Sequence, residues 1–182
     1  SYVQDLVEFD GKIWMATLNG LAMYDESNGL FTSFNKADGL MGTSTWGLAG
    51  VTTTTTSAGG STQTQQSLFI SHDGRGTDRP GITQMNASDY SITGLHQFDQ
   101  LPSNAVTAVT ADTWGVHVAT TTGPLVHWVR STGQFNSGVN VFSMEDWPVY
   151  RMRSDGSYLI AVGENGATVL QAGLNGNSIV DR

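Results

Sequence analysis

The sequence predicts an all-β protein made of repeated four-stranded antiparallel units. Two observations lead there. No window of about 12 residues holds a sustained 3.6-residue apolar period, whereas short apolar runs alternate with turn signals throughout. The stretch KIWMATLNGLAMYDESNGLFTSFNKADGL, Lys12 to Leu40, also sets short strands around Asn19-Gly20 and Asn28-Gly29. Asn-Gly suits a type I′ turn, in which both central residues need positive φ, so each pair predicts a tight hairpin.

The first unit reads Tyr2 to Phe9, a turn at Asp10-Gly11, then Ile13 to Thr17, Leu21 to Tyr24 and Phe31 to Phe34. The second starts near Thr45-Trp46-Gly47-Leu48-Ala49. Its first hairpin is expanded by the polar segment Thr52 to Gln66, in which five consecutive threonines favour extended backbone through β-branching. Leu68 to Ser71, Ile82 to Met85 and Gly94 to Phe98 complete it. The third unit reads Ala105 to Ala111, Val116 to Thr120, Leu125 to Val129 and Val139 to Phe142. The fourth reads Val149 to Arg153, Tyr158 to Val162, Ala167 to Gln171 and a last run to Val180.

The register repeats. Ala16-Thr17-Leu18-Asn19-Gly20 aligns with Ala119-Thr120-Thr121-Thr122-Gly123, and again with Val162-Gly163-Glu164-Asn165-Gly166. Phe34, Phe98 and Phe142 fall at matching outer-strand positions. Four strands in a period of about 40–50 residues is the plan of a β-propeller or a propeller-like array of four four-stranded blades. The expected organisation is a single domain over 1–182, with repeats at about 2–40, 44–100, 105–146 and 149–181. Phe9, Trp14, Leu68, Ile70, Val116, Val118, Leu159 and Ile160 are the expected inter-blade core.

Composition narrows the partners. A formal net charge of −8 with only two lysines, Lys12 and Lys36, opposes binding to nucleic acid or anionic lipid. Cysteine is absent, so neither a disulfide nor thiol chemistry is expected. No run approaches the roughly 18 apolar residues of a membrane span. The chain opens on a strand pattern without an initiator Met and reads as a piece excised from a longer protein.

The motifs Ile13-Trp14-Met15-Ala16-Thr17, Gly20-Leu21, Tyr24-Asp25, Phe34, Asp38-Gly39-Leu40 and Leu101-Pro102-Ser103-Asn104 resemble the repeats of two-component-regulator-type propellers. That resemblance is clearest in units one and three. It implies an extracytoplasmic sensory or recognition role, often with carbohydrate. Such sensors usually carry more than four blades. The four units therefore close on themselves, are completed by another chain, or belong to a longer array.

The sharpest local feature is the charged insertion from His72 to Arg79. His72, Asp73, Arg75, Asp78 and Arg79 are candidate ligand contacts, because paired arginines fork carboxylates and sugar hydroxyls. An internally paired, solvated loop is the alternative. Trp147 joins them on the loop face as a stacking residue, against a plug role shared with Leu40 and Leu101. Trp14 and Trp128 sit in strands and are assigned to packing. His117 alternates with Val116 and Val118, so it points into an inter-blade face and bonds to a threonine. No pair of histidines has metal-ligand spacing, so no metal and no cofactor are expected. No acid–base or nucleophile constellation is readable. The expected function is a non-catalytic recognition or sensor module taking a small molecule or glycan on the loop face. The alternative is an interaction segment whose terminal blades meet another protein chain or a second copy.

Overall fold

A computed structural model describes residues 2–73, 80–95, 101–122, 125–136, 148–164, 166–171 and, as backbone only, 178–181. The fold is all-β. The first sheet is β1 (Val3–Phe9), β2 (Lys12–Thr17), β3 (Gly20–Asp25) and β4 (Leu30–Phe34). The second is β5 (Thr45–Thr56), β6 (Thr62–His72), β7 (Ile82–Asn86) and β8 (Ile92–Leu95). The third is β9 (Val106–Ala111), β10 (Gly115–Thr120), β11 (Val126–Val129) and β12 (Gln134–Asn136). The fourth is β13 (Val149–Ser154), β14 (Tyr158–Gly163), β15 (Gly166–Gln171) and β16 (Ser178–Asp181). Each sheet is an antiparallel meander in chain order. A 3-10 turn, Lys36–Asp38, follows β4 and is closed by a capping box between Asn35 and Asp38.

The sheets pack face to face in sequence, and the burial of their strands follows from that. Sheet two is covered on both sides, so β6 is buried continuously from Ser67 to His72. Leu68 and Ile70 turn towards Trp14, Leu21 and Met23 of sheet one. Phe69 turns the other way, towards Val109, Val116 and Trp128 of sheet three. Strand β10 is likewise buried along its whole length. A strand covered on both faces loses the polar–apolar alternation of a half-exposed one. Each fully buried Leu, Ile or Phe contributes about 1.5–3 kcal/mol over leaving it in water. Sheet three meets sheet four through Ala108, Ala119, Leu125, Met152, Leu159, Ala161 and Leu170.

The end sheets behave differently. Strand β14 alternates, with Leu159 and Ala161 buried and Tyr158, Ile160 and Val162 exposed. The expected burial of Ile160 is therefore corrected: at 46% exposed it lies on the face of sheet four turned away from sheet three. Phe9 is only partly buried, packed against the core between sheets one and two.

Three local expectations change. The type I′ turn is found at Asp10-Gly11, where both φ angles are positive, at 56° and 66°. At Asn19-Gly20 and Asn28-Gly29 only the glycine has positive φ. Gly20 is the first residue of β3, and a Cβ there would lie 2.2 Å from the Phe34 carbonyl oxygen, so glycine is required by that close approach. The outer strand of the third unit is Gln134–Asn136, with Phe135 buried, because the chain turns at Thr132-Gly133 and pairs at once with β11. The expected strand at Val139 to Phe142, like Phe98 and the end of the Gly94 to Phe98 run, lies outside the described residues.

The threonine-rich hairpin has the expected elongated form. β5 and β6 pair from Thr45↔His72 out to Thr56↔Thr62, and residues 54–65 are exposed. Cutting it back to a tight turn between Thr53 and Gln66 should leave the native circular dichroism and denaturation midpoint essentially unchanged, since no core side chain is removed. Loss of the native spectrum would contradict this.

Candidate functional site

The candidate loop residues divide. His72 is fully buried at the end of β6. Its Nε2 lies 2.7 Å from Thr83 Oγ1 and its Nδ1 3.3 Å from the Ser44 carbonyl, so it ties β6 to its neighbours and presents no ring to solvent. Asp73 is half-buried, and its backbone N–H donates to the Ser44 carbonyl. Arg75, Asp78, Arg79 and Trp147 lie outside the described residues. Trp14 and Trp128 are packed between sheets as expected. Trp14 stacks on Phe34 at 6.1 Å, and Trp128 meets Phe69 at 4.9 Å.

The first strands of the four sheets lie side by side, and a polar contact joins the two ends of the series there. Asp5 on β1 is buried. Its Oδ2 accepts from the Leu48 N–H of β5, and its Oδ1 accepts from Arg153 Nη2 of β13 at 2.7 Å. Arg151 Nη2 donates to the Gln4 carbonyl at 3.1 Å, and its guanidinium stands 5.7 Å from the Trp46 ring centroid. Two arginines of sheet four thus reach sheet one.

Beyond that contact the end sheets turn apolar faces outward. On sheet one the cross-strand row Leu6, Met15 and Ala22 runs beside Glu8, Ile13, Tyr24 and Phe31. Leu6 is 57% exposed and Phe31 71%. On sheet four Ile160 stands between Arg153 and Val169, and Val162 between Arg151 and Ala167. One face carries a carboxylate and the other carries guanidinium groups.

A third group was not legible from sequence spacing. His117 on β10 and His127 on β11 are cross-strand partners, facing sheet four rather than sheet two. Their rings stack at 4.5 Å, 6° from parallel. Asp112, in the turn before β10, is held by an Asx arrangement in which its Oδ1 accepts from the Trp114 and Gly115 N–H groups. Its Oδ2 lies 2.6 Å from His117 Nε2, so a carboxylate meets that nitrogen where a threonine hydroxyl was expected. Burial pushes the Asp112 pKa up, but the bond and charge of His117 and the two backbone donors outweigh it and hold the carboxyl below its ordinary range. His127 is 3% exposed, and neither of its ring nitrogens has a hydrogen-bond partner. Burial, then the neighbouring His117, lowers its pKa to about 4, so the ring is neutral at physiological pH. The available signal was the hairpin register, which sets residues 117 and 127 opposite each other.

Neither a protein-family model nor a curated protein sequence matches the chain. Solved structures do. The whole chain superposes on the extracellular domain of the putative hybrid two component system BT4673 from B. thetaiotaomicron, with a TM-score of 0.62 and 19% identity, covering 22% of that chain. A further structure of a BT4673 extracellular domain matches 94% of this chain with a TM-score of 0.63 and 20% identity, over 21% of its length. The computationally designed Ika4 protein matches 95% of this chain and 92% of its own, with a TM-score of 0.58 and 13% identity. At these identities the likeness is one of fold. The chain spans about a fifth of the length of the sensor domains it matches.

Proposed function

We propose that the four sheets are consecutive blades of a β-propeller, and that the chain is a non-catalytic recognition module of the extracytoplasmic sensor type. In this reading the outward faces of the first and last sheets are interaction surfaces. The observation that carries it is the pair of apolar end faces, with Leu6 and Phe31 on one and Tyr158, Ile160 and Val162 on the other. Contiguous exposed apolar surface of this kind marks interaction sites, and each inner sheet of a stacked array is covered by two neighbours. Phe31→Asp and Ile160→Asp should each preserve the native circular dichroism, because both side chains are exposed, and each should abolish self-association of the isolated chain. Self-association unchanged in both variants would contradict the proposal.

A second reading, a small-molecule or glycan site on the loop face, follows from the resemblance of the repeats to those of sensor propellers; the fold neighbours are extracellular domains of a two component and a one component system. Arg75, Arg79 and Trp147 remain its candidate contacts. A ligand that binds only the folded chain raises its melting temperature with concentration. Under this reading an oligosaccharide panel yields such a rise, and Arg75→Ala with Arg79→Ala removes it. A panel without any rise, or a rise indifferent to those changes, would count against it.

A further inference from the structure

We propose that Asp112, His117 and His127 form a site for a divalent transition metal of the Zn²⁺ class, between the third and fourth sheets. One ligand atom from each residue lies within 4.8 Å of the others, and the three come from a turn and two adjacent strands of one sheet. The Asp112 and His117 side chains are buried, at 0% and 1% exposure. Two imidazoles and one carboxylate suit zinc-like ions, whereas Ca²⁺ and Mg²⁺ prefer all-oxygen sets.

The independent observation is His127. A buried polar group ordinarily has a hydrogen-bond partner. Here both ring nitrogens lack one, although the ring lies against a carboxylate–imidazole pair. Its Nε2 also sits over Gly115, where an added Cβ would come within 2.8 Å, so the missing side chain leaves that nitrogen room. The same Gly115 N–H holds Asp112 Oδ1, which aims Oδ2 at the cluster.

In the metal-free protein a proton bridges His117 Nε2 and Asp112 Oδ2. The ion requires His117 as the neutral Nδ1–H tautomer: the bridging proton leaves Nε2 to solvent and Nδ1 keeps, or takes up from solvent, the ring's one proton, which frees Nε2 and Oδ2 as ligands. His127 supplies the third donor by turning out of its parallel stack, since two parallel rings cannot share one in-plane ion. A water or anion fills the remaining position, as in three-ligand zinc sites. Trp114, in the Asp112–Gly115 turn, is exposed.

The test uses the untagged 182-residue chain, stripped with a chelator and titrated at neutral pH with Co²⁺ and then Zn²⁺. The expected result is visible Co²⁺ absorption saturating at one ion per chain, displacement by Zn²⁺, and a rise in melting temperature with Zn²⁺. Asp112→Asn and a His127 variant should each lose the absorption and the rise. The His127 variant is Leu or Gln, whichever keeps the native circular dichroism. Absence of saturable absorption and of any thermal shift at large molar excess of both ions would overturn the proposal. So would binding that is unchanged in the two variants.

Discussion

Replacing Trp14 with alanine costs about 3–5 kcal/mol of stability, the scale for truncating a core Trp. Trp14 has no exposed surface and sits where sheet one meets sheet two, among Leu48, Leu68, Ile70 and Met85. Its ring stacks on Phe34 and meets Tyr90 edge-on at 6.2 Å. Its Nε1 donates to the Phe9 carbonyl at 3.1 Å, so truncation leaves both a cavity and an unmet acceptor. The loss is read from the midpoint of a urea transition. A cost below about 1 kcal/mol would mean that sheet one does not depend on this contact.

Asp5→Ala is the second large effect, about 1–4 kcal/mol, and its size separates two contributions. Asp5 accepts from a buried backbone N–H and from Arg153. Leaving the Leu48 N–H unpaired costs about 1–3 kcal/mol. The ion pair contributes less, because the Arg153 side chain is 62% exposed and water screens it; exposed pairs are worth roughly 0–1 kcal/mol. Arg153→Ala should therefore cost under about 1 kcal/mol, and Asp5→Asn should recover much of the loss by keeping an acceptor for Leu48. Equal losses in Asp5→Ala and Arg153→Ala would show that the contact between the two end sheets dominates instead.

The four-sheet plan was legible because turn residues recur at matching positions, and strand types follow the number of covered faces. Leu68-Phe69-Ile70 reads as an unbroken apolar run since both faces of sheet two are packed. Tyr158 to Val162 is equally apolar, and alternation alone does not say that sheet four has a single neighbour. Hence the sequence points Ile160 to the core. Strand β12 is not apparent in the sequence because three residues with one buried Phe135 carry little pattern. Asn19-Gly20 misled on turn type because the glycine serves a close approach to the Phe34 carbonyl rather than a type I′ turn.

The site was less legible. His72 looked like part of a charged loop, yet it ends a buried strand and is held by Thr83 and Ser44. The Asp112, His117 and His127 group has no sequence signature of its own: it depends on the β10–β11 register and on the Asx turn that orients Asp112. Spacing along a chain reveals ligand sets on one helix or one loop, but not sets assembled across a hairpin.

The measurement that tests the account most directly is the solution mass of the isolated chain by light scattering over a range of concentrations. If the outward faces of sheets one and four are docking surfaces, the mass rises with concentration to a multiple of 19.4 kDa. A constant monomer mass at every concentration, with native circular dichroism retained, would contradict it.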